Sequence, residues 1–222
     1  MAREARLVIV SDFDGTITHQ DIGNELCRRF IPEKFKQLHR QYKEKQLSLR
    51  DYQNAVWGGF PLSAKEFTSA SRDFAKFRDG CEAFLEFCSD NQVDVYVASC
   101  GIDAYIEPAL ACLSDKAQKC LRGIRCNKAL FSHNTLHSLS MPSETGPFSL
   151  DKGAWCAELR AQSAEPLHIL GVGNGTSDQS MVGYTDSLAA TESLATYLSE
   201  KKIPYLAFET WNEIRPWVES RL

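Results

Sequence analysis

Short apolar segments alternate with helical patterns along most of the chain. The segments with the length and composition of strands are residues 7–10, 93–98, 167–170 and 205–208. Apolar residues recur at helical spacing before the second segment (Cys81, Phe84, Leu85, Cys88), after it (Ala104, Ile106, Ala109, Leu110) and near the end (Trp211, Ile214, Trp217, Val218). This alternation predicts an α/β fold with a parallel sheet and helices on both of its faces.

One region interrupts the alternation. Residues 20–76 are helix-like throughout and contain no convincing strand. Pro32, Ser48, the Gly58-Gly59-Phe60-Pro61 segment and the capping box from Ser63 to Glu66 divide the region into about four helices. We therefore predict a discontinuous core formed by residues 1–19 and 77–222, with residues 20–76 inserted as a small helical cap. Residues 140–149, rich in Ser, Pro and Gly, predict a surface loop.

Composition narrows the class of protein. The 222 residues are 43% hydrophobic and 24% charged, which is typical of a soluble globular protein. A net charge of -4 provides no basic stripe for a nucleic-acid backbone, and the apolar run near the N-terminus is too short for a signal peptide or a membrane span. We therefore expect a cytoplasmic protein without nucleic-acid or membrane partners. Its eight cysteines include no Cys-x-x-Cys pair, so zinc is disfavoured and most are interpreted as small buried hydrophobic residues.

The first polar cluster follows the first strand segment as Asp12-Phe13-Asp14-Gly15-Thr16. Two carboxylates at a strand end can hold one hard cation and provide one nucleophile. One carboxylate can attack phosphorus, while the second protonates the leaving oxygen and later activates water. An Asp-x-Asp pair alone is equally compatible with a solvated turn.

Two further positions fit phosphate chemistry. Ser99 ends the second strand segment, where its hydroxyl and the backbone N–H groups of Cys100 and Gly101 can hold phosphoryl oxygens. Lys152 follows Asp151 at a predicted helix start and can neutralise a phosphoryl dianion. Taken singly, a Ser-x-Gly turn is usually structural, and a lysine at a helix start is usually exposed.

The last polar segment along the chain is glycine-rich and runs from Gly173 to Asp178. Asn174 and Asp178 provide an amide oxygen and a carboxylate, both suited to the oxygen shell of magnesium, directly or through water. As a dinucleotide fingerprint the segment fails, because Thr176 stands where the third glycine is required. The chain has no Walker-type loop, and Cys100 lacks the downstream arginine of a cysteine phosphatase.

Taken in order, four features resemble the motifs of the haloacid dehalogenase superfamily: the Asp12 to Thr16 segment, Ser99, Lys152, and the Gly173 to Asp178 segment. The helical insert resembles the cap of its phosphoserine phosphatase-like subclass. Three tripeptides are similar to the 2-hydroxy-3-keto-5-methylthiopentenyl-1-phosphate phosphatase-like group within it: Ser99-Cys100-Gly101, Ile106-Glu107-Pro108 and Arg125-Cys126-Asn127. The resemblance implies a Rossmann-like core, a Mg²⁺ cofactor and a small phosphorylated metabolite as substrate. It leaves open whether the protein is a homodimer.

The resemblance also implies roles for individual residues. Asp12 would be the nucleophile and a metal ligand, and Asp14 the general acid and base, with its backbone carbonyl also on the metal. Ser99 and Lys152 would bind phosphate, and Asp178 would belong to the metal shell. Asn174 departs from the pattern, because the family has an acid at this position. We therefore expect a magnesium-dependent phosphomonoester hydrolase, with a weakened phosphate-binding regulator and a phosphotransferase as the alternatives.

Overall fold

A computed structural model describes residues 5–133, 135–143 and 148–222. Its strands are β1 (Arg6–Ser11), β2 (Asp94–Ile102), β3 (Leu121–Ser132), β4 (Thr135–Ser140), β5 (Leu167–Gly173), β6 (Ser187–Ala190) and β7 (Leu206–Ala207). Its α-helices are α1 (Ile22–Phe30), α2 (Pro32–Lys43), α3 (Leu49–Trp57), α4 (Ala64–Phe74), α5 (Cys81–Asp90), α6 (Asp103–Leu110), α7 (Asp115–Gln118), α8 (Lys152–Gln162), α9 (Glu192–Glu200) and α10 (Trp211–Glu219). A 3₁₀ helix covers Thr176–Met181. None of the helices in the described residues is long and apolar enough to cross a membrane.

The seven strands form one sheet in the order β4-β3-β2-β1-β5-β6-β7, parallel except for the β3–β4 pair. Successive side chains of β1 point to opposite faces of the sheet. Leu7 and Ile9 pack into one hydrophobic cluster, and Val8 and Val10 pack into the other. A strand covered on both faces is apolar at every position, which explains the continuous β1 run. The predicted α/β class with helices on both faces is confirmed.

The position of β1 determines where ligands can bind. Its neighbours β2 and β5 run parallel to it, so the carboxyl ends of all three strands meet at one edge. Both neighbours extend further than the sequence pattern indicated. Ser99 does not end its strand, because β2 continues to Ile102 past an irregular register that begins after Ala98. Likewise, β5 includes Gly171 to Gly173, which we had expected in the turn.

Three strands were not predicted from the sequence. Strands β3 and β4 form an antiparallel hairpin at the sheet edge, and their side chains are mostly half-buried or exposed. An edge pair of this kind lacks the apolar run that marks a buried strand. Strand β6 has only four residues. In the predicted loop at 140–149, residues 144–147 lie outside the described residues.

Helices α1 to α4 occupy the region between β1 and α5, as the absence of strand patterns predicted. The N-caps of α3 and α4 are Ser48 and Ser63, and the predicted capping box from Ser63 to Glu66 is present. The two chain segments that connect these helices to the sheet pair with each other at Thr18 and Phe77. The insert also packs on the sheet, since Phe67 lies edge-on to Phe131 of β3.

Candidate active site

Asp12 is the first residue after β1 and lies at the centre of the candidate site. Its backbone N–H donates to the carbonyl of Val172 at 2.9 Å, which continues the β1–β5 pairing for one more residue. Its carboxylate is largely buried, and Oδ1 lies 2.7 Å from Nζ of Lys152. The fold therefore brings together two of the predicted catalytic residues that lie 140 positions apart in sequence.

Lys152 is fully buried and is therefore not the exposed helix lysine that its sequence context alone allowed. Asp151 caps α8 by accepting from the N–H of Ala154, which places Lys152 at the first helical position. Nζ contacts Asp178 Oδ1 at 2.5 Å in addition to Asp12. One cation is thus held between two buried carboxylates.

Burial and charge shift the titration of this cluster. Burial, and to a lesser extent the neighbouring Asp178, raise the pKa of Asp12 to about 7 against the opposing effect of Lys152. Burial alone would lower the pKa of Lys152. The two carboxylates outweigh it and hold the lysine pKa well above its usual range. The cluster therefore keeps a permanent positive charge directly beside Asp12.

Asp14 lies on the other side of the turn, facing the helical insert. Its Oδ1 accepts from the backbone N–H of Ile22 at 2.9 Å, and its Oδ2 accepts from the hydroxyl of Tyr105 at 2.6 Å. Burial raises the pKa of Asp14 well above its usual range, although the Tyr105 hydrogen bond opposes this shift. A carboxyl group whose pKa is raised in this way is suited to act as a general acid.

The segment from Ser99 to Gly101 faces the same cavity. Ser99 Oγ accepts from the N–H of Gly101 at 2.9 Å. The carbonyl of Cys100 accepts from the amide of Asn127 at 2.7 Å and from that of Gln53 in the insert. Burial raises the pKa of the Cys100 thiol, so this cysteine stays protonated and is a poor nucleophile.

The glycine-rich loop after β5 is held by Asp178. Its Oδ2 accepts from the backbone N–H groups of Asn174 and Gly175 at 2.9 and 2.7 Å. The side chain of Asn174 accepts from the Thr16 hydroxyl at 3.3 Å. Gly15, in the left-handed region with φ of 73°, allows this approach, because a Cβ there would clash with the Asn174 amide. The loop carrying Asn174 is thus packed directly against the loop carrying both aspartates.

A cavity of about 300 Å³ lies above these residues, between the sheet edge and the insert. Six predicted site residues are on its wall: Asp12, Asp14, Ser99, Cys100, Gly101 and Asn174. Lys152 and Asp178 are fully buried and do not line the cavity; Lys152 contacts both Asp12 and Asp178. The insert contributes residues to which sequence reasoning gave no role, among them Tyr42, Tyr52, Gln53 and Trp57. The rings of Tyr42 and Tyr52 stack at 4.9 Å.

The donor chemistry at this site can be compared with what a magnesium ion requires. Asp12, the main chain at Asp14 and the amide oxygen of Asn174 are all hard oxygen donors on adjacent loops, and these fit magnesium. Within the described ranges, no group of three His, Cys, Asp or Glu side chains could hold a metal. The fit therefore depends on Asn174, because both oxygens of Asp178 already accept hydrogen bonds.

Comparison with known proteins finds similarity to phosphatases in both sequence and fold. The family model for haloacid dehalogenase-like hydrolases matches residues 9–182. A 2-hydroxy-3-keto-5-methylthiopentenyl-1-phosphate phosphatase from Bacillus velezensis is 26% identical over 96% of this chain and 90% of its own length. One from Lysinibacillus sphaericus is 28% identical over 93% and 91%. A solved phospho-aspartyl intermediate analogue of phosphoserine phosphatase superposes with a TM-score of 0.71 and 18% identity, covering 97% of this chain and 99% of that one.

Proposed function

The chain belongs to the haloacid dehalogenase-like hydrolase family, and from this premise we propose that it hydrolyses a phosphomonoester through an aspartyl-phosphate on Asp12, with magnesium as cofactor. Family membership and the curated relatives identify it as a phosphatase of small phosphorylated metabolites. The magnesium dependence, the covalent intermediate and the residue roles belong to the proposal. The buried contact of Asp12 with Lys152 is the observation that carries it.

The first step places the phosphoryl group between Asp12 and the Ser99 segment. An oxygen of Asp12 attacks phosphorus, and the bond to the ester oxygen breaks. Asp14 supplies the proton that the leaving oxygen needs, which is consistent with its raised pKa. The products of this step are the free alcohol and the acyl-phosphate on Asp12.

In the second step Asp14 acts as the base. Having lost its proton, it takes one from a water molecule, which attacks phosphorus and returns Asp12 to its carboxylate form. The positive charge of Lys152 lies beside Asp12 throughout, so it stabilises the phosphoryl oxygens in both steps without reorganisation. Ser99 and the backbone N–H of Cys100 would bind the phosphoryl oxygens, while the Gly101 N–H holds the Ser99 hydroxyl in place.

Magnesium would be held by Asp12, the backbone carbonyl of Asp14 and the side-chain oxygen of Asn174. When bound, it supplies positive charge that draws the substrate phosphate toward Asp12. Because the Asp178 oxygens bond Lys152 and the loop backbone, we assign Asp178 a place in the metal shell through water rather than by direct contact. Asn174 replaces a charged ligand by a neutral one, so weak magnesium affinity is the expected consequence.

The helical insert would form the substrate-selecting wall. Residues 20–76 would act as the cap domain, since Asp21 at the N-cap of α1 and Gln53 and Trp57 of α3 line the same cavity as Asp12. A cavity of this volume fits a small metabolite. The phosphorylated compound in the names of the curated relatives is the first substrate to test.

The proposal is tested with purified protein and p-nitrophenyl phosphate, with and without Mg²⁺. Turnover that requires Mg²⁺ and is lost in Asp12→Asn supports it. Phosphate binding without turnover would favour the regulatory alternative suggested by Asn174. Release of alcohol without an equal amount of inorganic phosphate, when an acceptor alcohol is present, would favour a phosphotransferase.

A further inference from the structure

Glu192 borders the metal-binding loop, although nothing in the sequence singles it out. It is the first residue of α9, and its φ of 49° lies in the left-handed region that L side chains rarely adopt. Its Oε2 accepts from Nδ2 of Asn174 at 3.1 Å. An unfavourable backbone conformation is thus retained at the residue that contacts the atypical member of the site.

This contact matters because an amide and a carboxylate are not equivalent as ligands. Either oxygen of an aspartate can bind a cation, whereas an asparagine can use only Oδ1, and its NH₂ group repels the cation. An asparagine in a metal site must therefore be held in one of two orientations. In this structure Nδ2 is committed to Glu192, which leaves Oδ1 beside Thr16 on the loop that carries Asp12.

Glu192 is itself held from the other side. Its Oε1 lies 3.4 Å from the guanidinium of Arg78. Arg78 is buried, donates to the backbone carbonyls of Gly15 and Glu209, and lies over the ring of Phe208. Because the same guanidinium also bonds Gly15, the position of Glu192 is linked directly to the loop between Asp14 and Thr16.

We propose that Glu192 is a positioning residue for magnesium: by accepting from Asn174 Nδ2, it fixes the amide so that Oδ1 is presented to the metal. This inference rests on the proposed magnesium site. If Glu192 acts by orienting the amide, removing it should have different effects with asparagine and with aspartate at position 174, whereas a general stabilising role would give the same effect in both. If Asn174 becomes aspartate, no amide remains to be oriented, and the Glu192 carboxylate faces a like charge. Removing Glu192 should then have a smaller effect than in the parent.

The test measures Mg²⁺ binding to metal-free protein by isothermal titration calorimetry, without substrate or turnover. The variants are Glu192→Ala and Glu192→Gln, each in the parent and in the Asn174→Asp background. In the parent background, Glu192→Ala should weaken Mg²⁺ binding about three- to tenfold, the usual effect of losing one such hydrogen bond. Glu192→Gln keeps an acceptor oxygen and should stay within about twofold of the parent.

In the Asn174→Asp background, Mg²⁺ should bind more tightly than to the parent, and Glu192→Ala should weaken that binding less than it does in the parent background. Glu219→Ala is the matched control, since Glu219 is also an exposed glutamate paired with an arginine, on α10. Thermal unfolding of each variant shows that the fold is retained. Equal weakening by Glu192→Ala in both backgrounds, or equal weakening by Gln and Ala, would overturn the inference. If no variant binds Mg²⁺, the proposed metal site itself fails, and the inference fails with it.

Discussion

Lys152 offers the most direct test of how the buried cluster works. We consider Lys152→Met, which keeps most of the side-chain volume and removes the charge. In the parent, Nζ lies 2.7 Å from Asp12 and 2.5 Å from Asp178, and the lysine has no exposed surface. Removing one preorganised electrostatic group from an active site typically lowers kcat by 10² to 10³, or about 2.7–4 kcal/mol. We expect kcat/KM to fall within that range.

The same substitution should affect stability, and the size of that effect should depend on pH. Breaking a buried ion pair costs roughly 3–5 kcal/mol when the remaining charge has no partner. Asp12 can bind a proton instead, because burial and the neighbouring Asp178 already raise its pKa to about 7. A group whose pKa is higher in the folded than in the unfolded state contributes stability at low pH and loses it as pH rises. The stability difference between parent and variant should therefore be small at pH 6 and larger at pH 8.5.

Two assays separate the catalytic effect from the structural one. Urea unfolding at both pH values gives the stability difference, and hydrolysis of p-nitrophenyl phosphate with saturating Mg²⁺ gives kcat/KM. The double variant Lys152→Met with Asp178→Asn removes one of the two unpaired carboxylates, so it should recover stability without recovering turnover. Lys116→Met is the control, because Lys116 forms an exposed pair with Asp90 at the same 2.7 Å distance. A folded Lys152→Met variant with kcat/KM within tenfold of the parent would refute the role assigned to Lys152.

Three further predictions concern single residues. Asp12→Asn should abolish turnover but keep the thermal midpoint within a few degrees, because the side-chain volume is unchanged; residual activity above about 1% would move the nucleophile elsewhere. Tyr105→Phe removes a hydrogen bond that lowers the pKa of Asp14, so the alkaline limb of the kcat/KM profile should move to higher pH, and an unchanged or lower position would contradict this. Gly153→Ala should lower the free energy of unfolding by about 1–3 kcal/mol, because its Cβ would meet the backbone carbonyl of Ser180; an unchanged urea midpoint would argue against that contact.

The sequence predicted those parts of the site that follow buried strands. A parallel strand covered on both faces is marked by its apolar run, and the polar residues at its end must lie at the carboxyl edge of the sheet. Asp12 and Asn174 were found in this way, and so was the convergence of their loops. The assignment of Lys152 to the site depended on the family resemblance, because the sequence around a lysine at a helix start does not indicate that it is fully buried.

Residues of the insert could not be assigned from sequence for a different reason. Aromatic residues at helical spacing, such as Tyr52 and Trp57, are expected in the core of any helical domain, and both are in fact largely buried. Only the packing of the insert against the sheet shows that they also line the cavity. The role of Tyr105 was missed in the same way. Its position on the apolar face of α6 indicates a core residue, and only the structure shows that its hydroxyl group donates to Asp14.

Glu192 shows most clearly where reasoning from local sequence stops. It follows β6, a four-residue strand too short to give a pattern, and its backbone conformation is unusual for a glutamate. The role proposed for Glu192 depends on its contact with Asn174, 18 residues earlier, and on its contact with Arg78, which follows the insert in sequence. The departure at Asn174 is visible in the sequence, but the group that would compensate for it becomes visible only once the sheet brings β5 and β6 side by side. An unusual residue at a predicted metal site therefore calls for examination of its hydrogen-bond partners in the fold before the site is judged inactive.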